Sequence, residues 1–199
     1  YYEEHRLGQD RGQGVPIINL HQVTSESGQY NMPLANFTYF LDYLVANGYT
    51  TITYEQYVAW RTNQYMMPAK PIILDFDDGR KSVYNNAYPA MKARGLIGVL
   101  ELPAQTINKS CSDTFRMCWN NVNEMISDGW GVGGHMWNHT KGATSMPYSE
   151  IIFNFNATKN AIYKNTSYTI THWQWYGNIN NATDDSLCAQ YFTSCMGDT

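Results

Sequence analysis

The chain has 199 residues, a formal net charge of −4, and 15% aromatic against 15% charged residues. That length suits one well-buried domain and is short for two. No basic cluster supplies the phosphate contacts that dominate nucleic-acid affinity, so no nucleic-acid partner is expected. No apolar run approaches the roughly 18 to 20 residues of a membrane-spanning helix, and no signal-like segment precedes Tyr1; the expectation is a soluble, processed chain without a membrane span.

Residues 1–14 are polar, Gly-containing and aperiodic, and read as an N-terminal arm in which His5 is solvated. Residues 15–199 then alternate between strand and helix patterns. Val15 to Leu20 is a short apolar strand ending at His21. From Pro33 to Asn47, Leu34, Phe37, Phe40, Leu41, Leu44 and Val45 recur at helical spacing, and Gly48 stops the helix. Tyr49 to Thr53 is a strand candidate, and Tyr54 to Arg61 a second helix. Ile72, Ile73 and Leu74 form an apolar run that ends in Asp75, Asp77, Asp78 and Gly79, the pattern of a parallel strand buried on both faces that stops at a chemical site.

A helix is expected from Gly79 through Lys92, a strand from Leu96 to Leu102, a helix from Asn120 to Ser127, and a strand from Trp130 to His135. Pro147 to Lys164 reads as helix, Tyr168 to Trp173 as strand, Asp184 to Gln190 as helix and Tyr191 to Met196 as a last strand. About seven strands alternating with six helices predict an α/β chain built from βα units around a parallel sheet or barrel. In such folds the chemistry lies at the carboxyl ends of the strands.

Cys111 with Cys118, and Cys188 with Cys195, form two local pairs without a CxxC, which points to disulfides rather than zinc thiolates. Asn36, Asn108, Asn138, Asn156, Asn165 and Asn181 open N-x-[ST] sequons. Together these features favour a secreted or cell-surface glycoprotein.

His135 and His139 stand four apart just after a predicted strand. Alone that spacing is weak. With Asp77 and Asp78 at another strand end, two imidazoles and one carboxylate make a three-ligand site with a position left for water. The second carboxylate is then free to act as base. Alternation points Asp75 and Asp77 to one side of their strand, and a like charge there would raise the base's pKa.

These residues carry a resemblance to the polysaccharide deacetylases of the NodB-homology type, carbohydrate esterase family four. Asp75 to Gly79 resembles the family's [TS]FDDG motif, His135 to Thr140 its H-[ST]-x-x-H-[PS] motif, and Val15 to Val23 its opening strand. The resemblance spans roughly residues 15 to 196. It implies a distorted (β/α) barrel of about seven parallel strands in one domain, with Asp77 as general base and Asp78, His135 and His139 as ligands of zinc or another divalent transition metal such as cobalt, nickel or manganese. It further implies hydrolysis of N-acetyl groups on an amino-sugar polysaccharide, chitin-like or peptidoglycan-like, with the backbone N–H near Tyr176 holding the oxyanion.

The chain departs from that pattern in five respects. Asp75 replaces Ser or Thr, Met136 replaces Ser or Thr, and Thr140 replaces Pro or Ser. Trp173 to Gly177 stands where the family often carries R-x-P-[YF], so the arginine that orients the base is missing, and no L-x-H motif supplies an acid histidine. A catalytically weakened protein that binds glycans or serves a structural role at the cell surface is the alternative reading. Trp137, Trp173 and Trp175 are candidates to stack on sugars. Asp75, His21 and His172 are candidates for supporting positions around the site.

Overall fold

The computed structural model describes residues 14–108 and 110–197, so the expected arm at 1–14, with His5, lies outside the described residues except for Gly14. Strands β1 (Ile17–Leu20), β4 (Thr50–Thr51), β5 (Pro71–Asp77), β6 (Val99–Leu102), β7 (Gly131–Gly134), β8 (His172–Gln174) and β9 (Ser194–Met196) form one sheet among the described residues. Its order is β1-β5-β6-β7-β8-β9, with β4 also paired to β5, and every pairing is parallel. The sheet curls into a half-barrel, the distorted (β/α) barrel that the family resemblance implies. The connections carry α1 (Leu34–Ala46), α2 (Tyr54–Arg61), α3 (Tyr88–Lys92), α4 (Trp119–Ser127), α5 (Tyr148–Thr166) and α6 (Ala182–Cys188).

The two-residue period of the strands sorts the chain into an outer and an inner layer. On β5, Ile72, Leu74 and Phe76 face outward and join Phe37, Leu41 and Leu44 of α1 in the main core. Burying each such side chain is worth roughly 1.5 to 3 kcal/mol. Ile73 faces the barrel interior, where it packs with Ile52, Tyr54, Trp60, Met67 and Val99. Asp75 and Asp77 continue that inward series, so the interior grades from apolar at the strand starts to carboxylate at their ends. On β6 and β7 the same parity sets Glu101 against Gly133, where an added Cβ would lie 2.1 Å from Glu101 Oε2.

Several expected boundaries moved. The strand expected over Tyr49 to Thr53 is two residues long because Thr53 leaves it to cap α2, its side chain accepting from Gln56 N–H at 3.3 Å. The helix expected after Gly79 becomes a π turn at Val83–Ala87 that runs into α3. Pro89 cannot donate to the residue four before it and would clash with that carbonyl, so the chain widens ahead of it. The last strand keeps only Ser194–Met196, and the segment between β1 and α1 holds a small parallel pair, β2 (Gln22–Thr24) with β3 (Asn31–Pro33). The expected Cys111–Cys118 and Cys188–Cys195 bonds are both present, and the second ties α6 to β9.

Candidate active site

Strand ends β1, β5, β7 and β8 surround a cavity of about 400 Å³ whose lining includes Asn19, His21, Tyr30, Asp77, Asp78, Arg80, His135, His139 and Tyr176. Asp77 is the last residue of β5. Asp78 (φ +73°) and Gly79 (φ +60°) then take left-handed conformations, which fold the chain back and turn the Asp78 carboxylate inward. Gly79 is required there, because a Cβ would lie 2.4 Å from Ile107 Cδ1. Beyond β7, Met136 and His139 adopt left-handed backbones (φ +59° each), and the Trp137 N–H donates to Asn154 Oδ1 at 2.7 Å, tying the histidine loop to α5.

The consequence is convergence: one potential ligand atom from each of Asp78, His135 and His139 falls within 4.8 Å of the others. His139 Nε2 lies 2.5 Å and His135 Nε2 3.9 Å from Asp78 Oδ1, yet that buried oxygen has no hydrogen-bond partner. His135 Nδ1 sits 3.1 Å from the Gln174 carbonyl, which can only accept. That contact places the proton on Nδ1 and leaves Nε2 with a lone pair aimed at Asp78. An orphaned carboxylate oxygen beside imidazole nitrogens fits a divalent metal of the zinc type.

The carboxylates are driven apart electrostatically. Burial pushes Asp77 up to about 6, against the opposing pull of His21. Burial also acts to raise Asp78, but His139 and Arg80 outweigh it and hold that carboxyl well below the usual range. Burial, aided by His139, pulls His135 down to about 4, which keeps its imidazole neutral and ready to ligate. One carboxylate is thus a fixed anion, and its neighbour is a base poised to accept a proton near neutrality.

The expected residues divide by strand parity. Asp77, Asp78, His135, His139, His21 and Tyr176 all meet at the cavity. Asp75 lies inside the barrel, fully buried and outside the lining, with Tyr54 O–H donating to its Oδ2 at 3.0 Å. His172 is likewise internal, stacked on Tyr54 at 3.4 Å with Nδ1 2.7 Å from Ser194 Oγ. Trp173 and Trp175, expected to stack on sugars, are both completely buried, and of the two Trp175 borders the cavity. Trp173 packs on Phe155 of α5 at 4.7 Å, and the Trp175 indole donates to Asp185 at 2.8 Å. Trp137 is half-buried against the core and outside the cavity lining. Tyr30 and Tyr176 line the cavity as well, Tyr30 tilted against His21 at 5.0 Å. Sequence reasoning missed Asn19, Tyr30 and Arg80; Arg80 directly follows the carboxylate motif, which was a usable signal.

A family model described as polysaccharide deacetylase matches residues 64–191, more than half of the chain. The chain is similar to YxkH of Bacillus subtilis (strain 168), a protein assigned by name to the polysaccharide deacetylases, at 26% identity over 125 residues, 63% of this chain and 43% of that protein. Among solved structures it resembles a de-N-acetylase from Aggregatibacter actinomycetemcomitans (TM-score 0.81, 17% identity, 92% of this chain and 87% of that one). It also resembles the polysaccharide deacetylase BC0361 of Bacillus cereus (TM-score 0.79, 20% identity, 94% of this chain and 58% of that one). The chain therefore spans less than two thirds of the length of both Bacillus proteins.

Proposed function

We propose, from the premise that this chain belongs to the polysaccharide deacetylase family, that it is a metal-dependent hydrolase removing N-acetyl groups from an amino-sugar polysaccharide. The observation that carries this reading is the meeting of Asp78, His135 and His139 at one point beside Asp77, within a single cavity at the strand ends.

Zinc, or cobalt, nickel or manganese in its place, would be held by Asp78 Oδ1, His135 Nε2 and His139 Nε2 and would supply a Lewis acid that polarises the acetamide carbonyl and acidifies a water. Asp77, next to the ligands but not needed as one, takes the proton of the attacking water. The water oxygen bonds to the carbonyl carbon, the C–N bond breaks, and the products are acetate and a free amine. The amine needs a proton, and His21, with Nε2 3.8 Å from Asp77 Oδ2 in the same cavity wall, is placed to relay it. Tyr176 opens a short helical turn, where the first N–H groups lack an acceptor within the turn, which suits it to holding the oxyanion. Two disulfides support an extracellular setting.

Acetate release from chitin oligomers and from N-acetylated peptidoglycan, with zinc or cobalt added, tests the reading. Release is expected from the wild type and is lost in Asp77→Asn while bound metal is retained. A metal-loaded protein that frees no acetate from either glycan would sink the proposal.

A further inference from the structure

Asp78 offers only one oxygen to the imidazoles, because the other is already taken. Arg80 Nε and Nη2 donate to Asp78 Oδ2 at 3.0 and 2.5 Å, and the guanidinium is largely buried, with 16% side-chain exposure. This grip on Oδ2 leaves Oδ1 as the atom facing His139 and His135.

The arginine is itself held. Phe115 lies under its guanidinium, with Cζ 4.3 Å from the ring centroid, and Arg116 Cζ sits 5.2 Å from the same ring. Arg80 and Arg116 form an antiparallel bridge. Around it, Lys81 N–H donates to the Phe115 carbonyl at 2.9 Å, Met117 N–H to the Gly79 carbonyl at 2.9 Å, and the Arg116 guanidinium to the Asp78 carbonyl. Segment 115–117 therefore clamps the left-handed Asp78-Gly79 turn from both ends. It belongs to the loop closed by Cys111–Cys118, which is also fixed where Asn108 and Cys118 pair.

We propose that Arg80, steadied by the disulfide-closed 111–118 loop, is the positioning residue of the metal ligand Asp78, restricting it to one-oxygen coordination through Oδ1. The inference rests on the metal-site reading above but not on the reaction. A carboxylate limited to one oxygen leaves coordination positions for water and for the acetyl oxygen, and hydrogen bonds that fix a ligating carboxylate commonly govern metal affinity by roughly 10- to 100-fold. The loop reaches the ligand turn through Arg80 and through the backbone of the turn.

Calorimetric titration of the metal-free protein with zinc, and the visible absorption spectrum of the cobalt-loaded protein, test this without any glycan. Arg80→Met is expected to weaken zinc by roughly 10- to 100-fold and to shift the cobalt bands as the freed carboxylate takes up a second coordination. Arg80→Lys, which keeps a donor but not the fork, restores part of the affinity. If Arg80→Met fails to fold, Phe115→Ala and the paired Cys111→Ser, Cys118→Ser variant probe the same clamp and are expected to weaken zinc by smaller factors. Unchanged zinc affinity and an unchanged cobalt spectrum in a folded Arg80 variant, or in both loop variants, would overturn the proposal, as would a wild-type protein that binds neither metal. A protein that binds zinc in this Arg80-dependent way but releases no acetate would refute the proposed function alone.

Discussion

Burial gives Asp77 both the raised pKa that suits the proposed base and a structural cost. The residue is 4% exposed, and burial pushes its carboxyl from 3.8 up to about 6. A rise of about 2 units corresponds to about 3 kcal/mol between the protonation states at 1.36 kcal/mol per unit. Because the folded-state value lies above the unfolded one, the stability linked to this proton is fully present below pH 4 and is lost as pH rises through about 6. At pH 8 the metal-free wild type therefore carries a buried anion that Asp77→Asn does not. Asp77→Asn is expected to be more stable at pH 8 by up to about 3 kcal/mol, roughly 6 to 12 °C in Tm for a chain of this size, with the gap closing toward pH 4. The assay is urea denaturation of both proteins in EDTA across that range. A variant less stable than wild type at pH 8, or a gap that grows on acidification, would refute the reasoning.

Three further outcomes follow from the packing and the site. Phe155 is completely buried and contacts Trp173, Trp175, Tyr191 and Phe192, so Phe155→Ala should lose about 3 to 5 kcal/mol in urea denaturation; a loss below about 1 kcal/mol would contradict that packing. Trp173→Phe should lower Tm while leaving KM for glycan oligomers unchanged, and a tenfold rise in KM would return Trp173 to the binding site. Zinc at 100 times its Kd should stabilise the metal-free wild type by about 2.7 kcal/mol, and Asp78→Asn should abolish that shift in a thermal melt; an equal shift in both would place the metal elsewhere.

The site was legible where its residues are local in sequence. Asp77, Asp78, His135 and His139 sit in two short motifs at strand ends, and the parallel sheet brings those ends together. The burial of the tryptophans has a parity reason. Trp173 and Trp175 are two apart, so an extended segment sends both toward the core under α5, with Trp175 also bordering the cavity. Arg80 was visible next to its motif, but the ring that supports it comes from residue 115, and nothing local indicates that the 111–118 loop returns to residue 80. Long-range returns of this kind, like the Tyr54 contact with Asp75, are set by tertiary packing.

That contact also bears on the third carboxylate of the motif, which as an anion would repel the base two residues later. Burial, reinforced by the charge of Asp77, raises Asp75 well above the usual carboxylate range despite the Tyr54 hydrogen bond. Glu101, also fully buried, is raised by the same burial and then by Asp75. Among the described residues both Glu101 oxygens and His172 Nε2 lack hydrogen-bond partners, and burial draws His172 down to about 3, which leaves this imidazole, 3.5 Å from Glu101 Oε1, neutral. The rise favours the protonated form of both acids, as expected of buried carboxyls. An uncharged Asp75 does not oppose ionisation of Asp77. In that form the Asp that stands where the family has Ser or Thr exchanges one neutral hydrogen-bonding group for another.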